Sequence, residues 1–297
     1  AGQLVSLSLQ NDNDPDTADA TLGSDVDMQL QYFNGNQWVN YIGGAVALPS
    51  SGELLVRTSV KNDSTFEGAE LLQLKVSPTG GTASYGTASI LDDGTGNIYP
   101  DNTSGNPDAN AIKDDDRALQ VNNIDVNEAS PYAVFTISGA AGQVLSLALQ
   151  NDSDIATANA TLGTDAGTSL QYFNGSSWVN YTGGTVTMPT GGKLLVRTTV
   201  TNDAVYEGAE TLQLKVTPTG GTATYGTATI LDDGTGNVYP DNTTGNPDPS
   251  AVKDDDRAVQ VNNIEVNEAS PYAVFKVSGK AGQLVSLSLQ NDNDPDT

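Results

Sequence analysis

The chain has 297 residues and contains neither cysteine nor histidine, which excludes disulfide bonds, thiol nucleophiles, histidine-based acid–base catalysis and the usual zinc sites. Its 37 acidic and 12 basic residues give a net charge of −25, which argues against binding to nucleic acid or to anionic membranes. No apolar run approaches the roughly 18 residues of a membrane-spanning helix, so no membrane insertion is expected.

The sequence repeats with a fixed period. Residues 1–17, AGQLVSLSLQNDNDPDT, return unchanged as residues 281–297, and a variant begins at Ala141, so the period is 140 residues. We therefore expect that the chain is a section of a tandem array and that this section begins and ends inside a repeat. Arrays of similar modules gain length and avidity, which an enzyme rarely needs, so no enzymatic activity is expected.

The second copy predicts a series of short strands separated by Gly, Asn and Pro. In chain order they are 121–127, 133–138, 143–149, 170–173, 178–181, 185–188, 193–200, 211–217 and 222–231. Asn174-Gly175 is a strong hairpin signal between two of them. With no helical periodicity, this pattern predicts an all-β fold of tandem Greek-key, immunoglobulin-like β-sandwich modules.

Stretches rich in Asp, Gly and Pro are predicted to link these modules. The expected organisation is a first module (1–93) that lacks its opening strands, an acidic linker (94–120), a complete second module (121–233), a second acidic linker (234–260) and the opening strands of a third module (261–297).

Acidic motifs recur at fixed places in both copies. Asp203 and an EGAE motif precede a strand, and the strand at 222–231 ends in Asp232-Asp233; the first copy has NDSTFEGAE and SILDDG at the same places. With the opening Val126-Asn127-Glu128, these motifs resemble the Calx-β family, whose members are seven-stranded sandwiches that in some cases bind calcium through acids at one end. The resemblance covers most of each module.

The resemblance implies a set of calcium ligands in each copy. In the second copy they are Glu128, Asp165, Asp203, Glu207, Glu210, Asp232 and Asp233; in the first copy they are Asp25, Asp63, Glu67, Glu70, Asp92 and Asp93. Calcium takes six to eight oxygen ligands in irregular geometry, so carboxylates from separate loops suit it. Asn202 and Gly234 stand where calcium-binding members often have Asp, which predicts fewer ions or weaker binding. The alternative is that these residues only form turns.

The linkers carry a second acidic cluster. Asp254, Asp255 and Asp256 stand between Lys253 and Arg257, and they match Asp114, Asp115 and Asp116. One interpretation is a solvated, self-repelling hinge. The other is a calcium clamp across the module junction that also draws on Asp241 or Asp248.

Trp38 and Trp178 follow the hairpins together with neighbouring Tyr and Phe residues. If these rings were exposed, they would form a surface on which carbohydrate could stack. The favoured interpretation is that they pack within the module. Paired carboxylates can also indicate a glycosidase, which their position at repeated turns argues against.

Taken together, the YFNGSSWVNY hairpin, the GTATILDDGTG strand end and the DDDR linker resemble the extender repeats of large bacterial RTX-type adhesins, although RTX nonapeptides are absent. The resemblance implies type I secretion and an extracellular location on the bacterial cell surface. It also implies a spacer that calcium makes rigid and that projects a ligand-binding tip for adhesion and biofilm formation. Its partners would be neighbouring repeats. The alternative is a repeat that itself binds glycan or protein in a calcium-dependent way.

The incomplete first module predicts self-association. Its sheet edges would be exposed, and residues 261–280 correspond to the strands that it lacks. The tail of one molecule is therefore expected to complete the head of the next, although residues 281–297 duplicate residues 1–17 and would compete for the same place.

Overall fold

A computed structural model describes residues 2–11, 18–153 and 156–290. These residues form β-strands and connecting segments, and none of them forms a helix that could cross a membrane. The all-β prediction is therefore confirmed. The last part of the predicted third module, residues 291–297, lies outside the described residues.

The strands follow the repeat. The first module contains β1 (Leu4–Gln10), β2 (Ala18–Asp19), β3 (Gln31–Phe33), β4 (Trp38–Asn40), β5 (Val46–Ala47), β6 (Val56–Arg57), β7 (Glu70–Pro78) and β8 (Ser84–Ile90). The second contains β9 (Gln120–Val121), β10 (Ile124–Asn127), β11 (Tyr132–Ser138), β12 (Val144–Gln150), β13 (Ala158–Asn159), β14 (Leu170–Phe173), β15 (Trp178–Tyr181), β16 (Val186–Thr187), β17 (Lys193–Thr199), β18 (Glu210–Pro218) and β19 (Thr224–Leu231). The C-terminal residues contribute β20 (Gln260–Val261) and β21 (Val277–Ser278).

The second module is a sandwich of two sheets. One has the order β10-β19-β18-β12-β16, with β13 also paired to β18, and the other has the order β15-β14-β17-β11-β9. Side chains alternate along β12 and β18, so one face of each strand is buried. Phe135 and Ile137 of β11 and Leu212 and Leu214 of β18 are fully buried between the sheets.

The predicted strand at 121–127 is in fact two strands in different sheets. β9 pairs with β11, whereas β10 pairs in parallel with β19. Between them the Asn122 side chain accepts a hydrogen bond from the Thr136 amide and Asn123 accepts one from the Thr227 amide. The two asparagine side chains thus supply hydrogen-bond acceptors to both sheets at the point where the chain passes from one sheet to the other. A continuous strand could pair with only one of the sheets.

Two strand edges that are paired in the second module are unpaired in the first. In one of its sheets β7 pairs with β1, β2 and β8; the other has the order β4-β3-β6. In the second module the counterparts of β6 and β8 are paired with β11 and β10. Among the described residues, no strand pairs with the outer edges of β6 and β8.

The segment after β19 packs back onto the second module. Val238 and Tyr239 are buried, Tyr239 joins the hydrophobic core, and its amide donates to the Ser130 hydroxyl. This part of the Asp- and Gly-rich stretch therefore contributes to the sandwich. The module limits and the Greek-key connectivity stay predictions.

Candidate metal centre

The acids of the second module converge at one end of the sandwich. They come from the turn after β10, the loop before β14, the loop between β17 and β18, and the end of β19. Among the described residues, three groups form in which one carboxylate oxygen of each residue lies within 4.8 Å of the others: Glu128 with Asp203 and Glu207, Asp165 with Glu207 and Glu210, and Glu128 with Asp254 and Asp256. Because Glu128 and Glu207 are each shared by two groups, the groups are contiguous.

Several oxygens in this region are buried and lack a hydrogen-bond donor among the described residues. Glu128 is 5% exposed; its Oε1 accepts from the Asp203 amide at 3.1 Å, but its Oε2 has no donor. Asp232 is 3% exposed; its Oδ2 accepts from the Glu207 amide at 2.7 Å, but its Oδ1 has no donor. A buried carboxylate oxygen without a partner is costly, and a cation would satisfy it.

The electrostatics of this region also favour a cation. Burial, together with the charges of Asp203, Asp232 and Asp254, raises the pKa of Glu128 to about 7 against the opposing hydrogen bond from the Asp203 amide. Burial likewise raises the pKa of Glu210 to about 7, with Asp165 and Glu207 as the next contributors. Like charges are thus held close together around the buried Glu128, Asp165 and Asp232, and a divalent ion would relieve this repulsion.

Asn127 fixes the linker acids beside Glu128, and sequence reasoning did not identify it as part of the site. Its side chain is fully buried; Oδ1 accepts from the Asp254 amide at 2.8 Å, and Nδ2 donates to the carbonyl oxygens of Asp254, Thr235 and Leu231. The only signal for it is a polar residue between Val126 and Glu128 at the end of a predicted strand.

The three acids of the DDDR segment (residues 254–257) have different roles. Asp254 and Asp256 face Glu128, whereas both oxygens of the central Asp255 accept from Arg257 at 2.7 Å. Asp115 and Arg117 form the same pair in the first DDDR segment, residues 114–117. The central aspartates therefore hold the segment in shape, and the flanking ones remain available to an ion.

The other linker acids considered for the clamp lie elsewhere. Asp241 forms an ion pair with Arg197 at 2.7 Å, and Asp248 accepts from the amide and hydroxyl of Ser250. Asp233 and Asp93 accept from the amides of Thr235 and Thr95, so both stabilise turns, and neither belongs to a convergent group formed by the described residues.

The first module has a partial version of the same site. Asp25, Glu67 and Glu70 form a convergent group, and Asp92 accepts from the Glu67 amide at 2.8 Å while its Oδ1 has no donor among the described residues. Asp63 accepts from the Thr65 amide. No described residue of the first module occupies the place of Glu128.

The first DDDR segment lies at the junction of the two modules. The Asp116 amide donates to the Asp92 carbonyl at 3.0 Å, and both Asp114 carboxylate oxygens are buried without a donor among the described residues. Burial, followed by the neighbouring Asp114, raises the pKa of Asp116 to about 6. On its other side the segment packs closely against Gly220, in the turn between β18 and β19 of the second module. A Cβ added to Gly220 would lie only 2.8 Å from the Asp114 Cα. The segment therefore contacts both modules.

The Trp178 ring is packed within the module, as favoured from the sequence. Its Nε1 donates to the Asn242 carbonyl at 2.7 Å, and the Arg197 guanidinium lies 4.2 Å from the ring centroid. Phe173 meets the ring edge-on. Its N–H and at least part of its aromatic surface are therefore already engaged.

Comparisons with known proteins give weak likenesses. No family model and no curated protein matches the chain. Among solved structures, a family 2 glycosyl hydrolase from Bacteroides cellulosilyticus is similar with a TM-score of 0.26 and 10% identity over 77% of this chain, which spans 28% of that protein's length. The CupB6 tip adhesin from Pseudomonas aeruginosa is similar with a TM-score of 0.22 and 12% identity over 77% of this chain and 84% of that one. BcpA, the major pilin subunit of Bacillus cereus, has a TM-score of 0.21 and 8% identity over 76% of this chain and 69% of its own. Likenesses at this level assign neither a family nor a function.

Proposed function

We propose that this chain is a structural spacer from a bacterial cell-surface adhesin, in which calcium stiffens a tandem array of β-sandwich modules. The array would project a ligand-binding tip from the cell and serve adhesion and biofilm formation. Secretion would follow the type I route, and the role would be non-enzymatic.

The observation that carries this proposal is the set of buried carboxylate oxygens without donors at the module end. Glu128 and Asp232 are nearly inaccessible to solvent, and each has one oxygen that no described residue satisfies. Hard oxygen ligands from several loops suit calcium, which accepts irregular coordination. Extracellular modules typically bind calcium with a Kd of about 10⁻⁴ to 10⁻³ M, so the site would fill outside the cell.

The position of the first DDDR segment explains how calcium could stiffen the array. The backbone of its flanking residues, Asp114 and Asp116, is hydrogen-bonded to Gly94 and Asp92 of the first module, and the same two residues lie against Gly220 and Gly221 of the second. An ion held by these acids would fix the segment to the first module and thereby fix the second module relative to it.

Thermal unfolding with calcium and with chelator tests the calcium part of the proposal. A ligand that binds only the folded state must raise the midpoint, and Asp232→Asn should reduce this rise. Asp125→Asn is the matched control, because it removes one negative charge from an exposed position of the same module. An unfolding midpoint that is the same in calcium and in chelator would contradict the calcium part of the proposal.

Small-angle scattering of the monomer fraction tests the stiffening. Calcium should narrow the range of inter-module arrangements in the unmodified chain and in Asp125→Asn. The double variant Asp114→Asn, Asp116→Asn should scatter in calcium as the unmodified chain does in chelator. Equal responses of all three proteins would contradict a role for the DDDR segment.

A further inference from the structure

The first DDDR segment is paired directly with the end of the module before it. The Gly94 amide donates to the Asp114 carbonyl at 2.8 Å, and the Asp116 amide donates to the Asp92 carbonyl at 3.0 Å. These two bonds, here called the linker bridge, join the two segments in antiparallel register. The residues between them, 95–113, therefore form a loop that the linker bridge closes.

The second copy contains the same linker bridge. Gly234 donates to Asp254 at 2.8 Å and Asp256 donates to Asp232 at 2.9 Å, again through backbone groups. This bridge closes residues 235–253 into the corresponding loop. In both copies the two ends of the linker are thus held together, so the linker does not extend between the modules as a simple spacer would.

Asn127 supports the second linker bridge from both sides. Its Nδ2 donates to the Leu231 carbonyl before the bridge and to the Asp254 carbonyl after the loop, and its Oδ1 accepts from the Asp254 amide. The Asn127 side chain is fully buried, and hydrogen bonds in such surroundings are stronger than those exposed to water. Asn127 therefore strengthens the second bridge.

The other side of the first DDDR segment is fixed to the second module. The buried Gln143, in the turn between β11 and β12, donates to the Arg117 carbonyl at 2.8 Å. Leu119 packs against the core of the same module, and the chain enters β9 at Gln120. Because only a few residues separate Arg117 from β9, no length is stored on this side of the segment.

A tensile load between the two modules would therefore pass through the linker bridge. The first module transmits the load to Asp92, just after β8, and the second module transmits it to Asp116. The bridge joins these two residues directly, whereas the covalent path between them runs through the whole loop. The loop would carry no load until the bridge opened.

The linker bridge is also weaker than the sheets on either side of it. It consists of two hydrogen bonds around one residue pair, whereas β7 pairs with β8, and β18 with β19, over seven residue pairs. The loops have further contacts with their modules, such as the Asn102 carbonyl with Trp38 Nε1 and Tyr239 with the core. None of these contacts belongs to those two strand pairs, so a loop can detach while the pairs stay intact.

Each closed loop stores a defined length. Residues 93 and 115 face each other as a non-hydrogen-bonded antiparallel pair, in which the Cα atoms are about 4.5 Å apart. The chain from 93 to 115 would span roughly 3.3–3.6 Å per residue when extended. Opening one bridge and detaching its loop would therefore lengthen the junction by about 70 Å.

We propose that the linker bridge is a mechanical element that opens under load before the second module unfolds and closes again when the load is removed. Each linker then serves as a reserve of length for the array. The benefit to an array rests on the proposed spacer function, but the opening itself is a property of this chain and requires no bound ion.

Single-molecule stretching of the 297-residue chain in chelator tests the proposal. With the chain held through peptide tags at its two ends, we expect two steps of about 70 Å in contour length, one for each bridge. They should occur at lower force than unfolding of the second module, which releases about 350 Å or more, and they should recur after relaxation. Unfolding of the second module without preceding steps of about 70 Å would overturn the proposal. Because no calcium is present, this result is independent of the calcium proposal.

A disulfide across the second bridge provides an internal control. The spacing of a non-hydrogen-bonded pair suits a disulfide, and the chain has no other cysteine. In the variant Asp233→Cys, Asp255→Cys, oxidation should abolish one of the two steps and reduction should restore it. The same number of steps in the oxidised and reduced forms would overturn the assignment of the steps to the bridges.

Asn127→Ala tests the second bridge without a cross-link. It should lower the force of one step and leave the other unchanged, because the described residues place Asn127 only at the second bridge. Asn267→Ala, an exposed residue in the same sequence context, should change neither step. Equal step forces in the two variants would contradict the role of Asn127 in the bridge.

Discussion

Glu128 is the residue that connects the loop acids of the module with the acids of the linker. One of its oxygens accepts from the Asp203 amide, and it belongs to one convergent group with Asp203 and to another with Asp254. Its burial makes the ionised form costly in the absence of a cation. The protonation of this residue should therefore be visible in the stability of the whole module.

In chelator, the free energy of unfolding should rise as the pH is lowered from about 8 to about 5.5. The folded pKa values of Glu128 and Glu210 are about 7, above the ordinary value of 4.5. Between these values the folded state binds more protons than the unfolded state, so stability falls as pH rises. Chemical denaturation at several pH values measures this slope, and the chain has no histidine to obscure it.

The control for this prediction is Glu128→Gln, which should give a shallower slope in chelator. Calcium should oppose the slope, because the ion binds the deprotonated carboxylates. A free energy of unfolding that increases with pH in chelator would contradict the raised pKa values.

Asn127→Ala should destabilise the second module by roughly 2–3 kcal/mol, because it leaves several buried backbone groups without their partner. Urea unfolding measures the loss. Asn267→Ala is the matched control, since Asn267 has the same sequence context but is exposed, and among the described residues its side chain accepts only from the Ala269 amide. Equal effects of the two variants would show that the Asn127 contacts are not stabilising.

The sequence predicts the acids of the site better than it predicts their arrangement. Acids that follow strand ends in a sandwich meet at one end, so Glu128, Asp203 and Asp232 could be anticipated. The docking of Asp254 beside Glu128 could not, because it depends on a buried asparagine and on a linker that folds back. Nothing in the composition of an Asp- and Gly-rich segment distinguishes a free linker from one held by such contacts.

At the scale of elements, Arg197 of β17 joins four parts of the second module. Its guanidinium lies 3.6 Å from the Tyr132 ring centroid of β11 and 4.2 Å from that of Trp178 of β15. It also donates to Gln171 of β14 and to Asp241 of the segment after β19. A planar cation can stack and donate in this way, and an ammonium group cannot.

Arg197→Lys should lower the free energy of unfolding by about 1–3 kcal/mol, because stacking and two hydrogen bonds are lost from a buried position. The matched control is Arg57→Lys. Arg57 has the same partners except the tyrosine, and its side chain is 32% exposed whereas that of Arg197 is 5% exposed. Denaturation should give a smaller loss for Arg57→Lys, and a larger one would contradict the role of the β11 tyrosine.

Strand prediction succeeded for the long, alternating strands and for the short β14, β15 and β16, but it missed β13. β12, β17 and β18 show their periodicity in the sequence, whereas β13 has two residues and no readable pattern. The crossing between β9 and β10 was also missed, because Asn122 and Asn123 act through side-chain hydrogen bonds that strand periodicity does not encode.

At the scale of the whole molecule, the linker acids connect the metal centre with the module junction. In the second module, the turn that follows β10 places Glu128 beside Asp203, Asp254 and Asp256. The first DDDR segment bonds to the backbone of Asp92 and Gly94 of the first module and lies against Gly220 and Gly221 of the second. Because the same linker motif takes part in an acid cluster and in a contact between modules, calcium binding and inter-module geometry should change together. A calcium titration followed by both the unfolding midpoint and small-angle scattering measures this, and responses at clearly different calcium concentrations would contradict it.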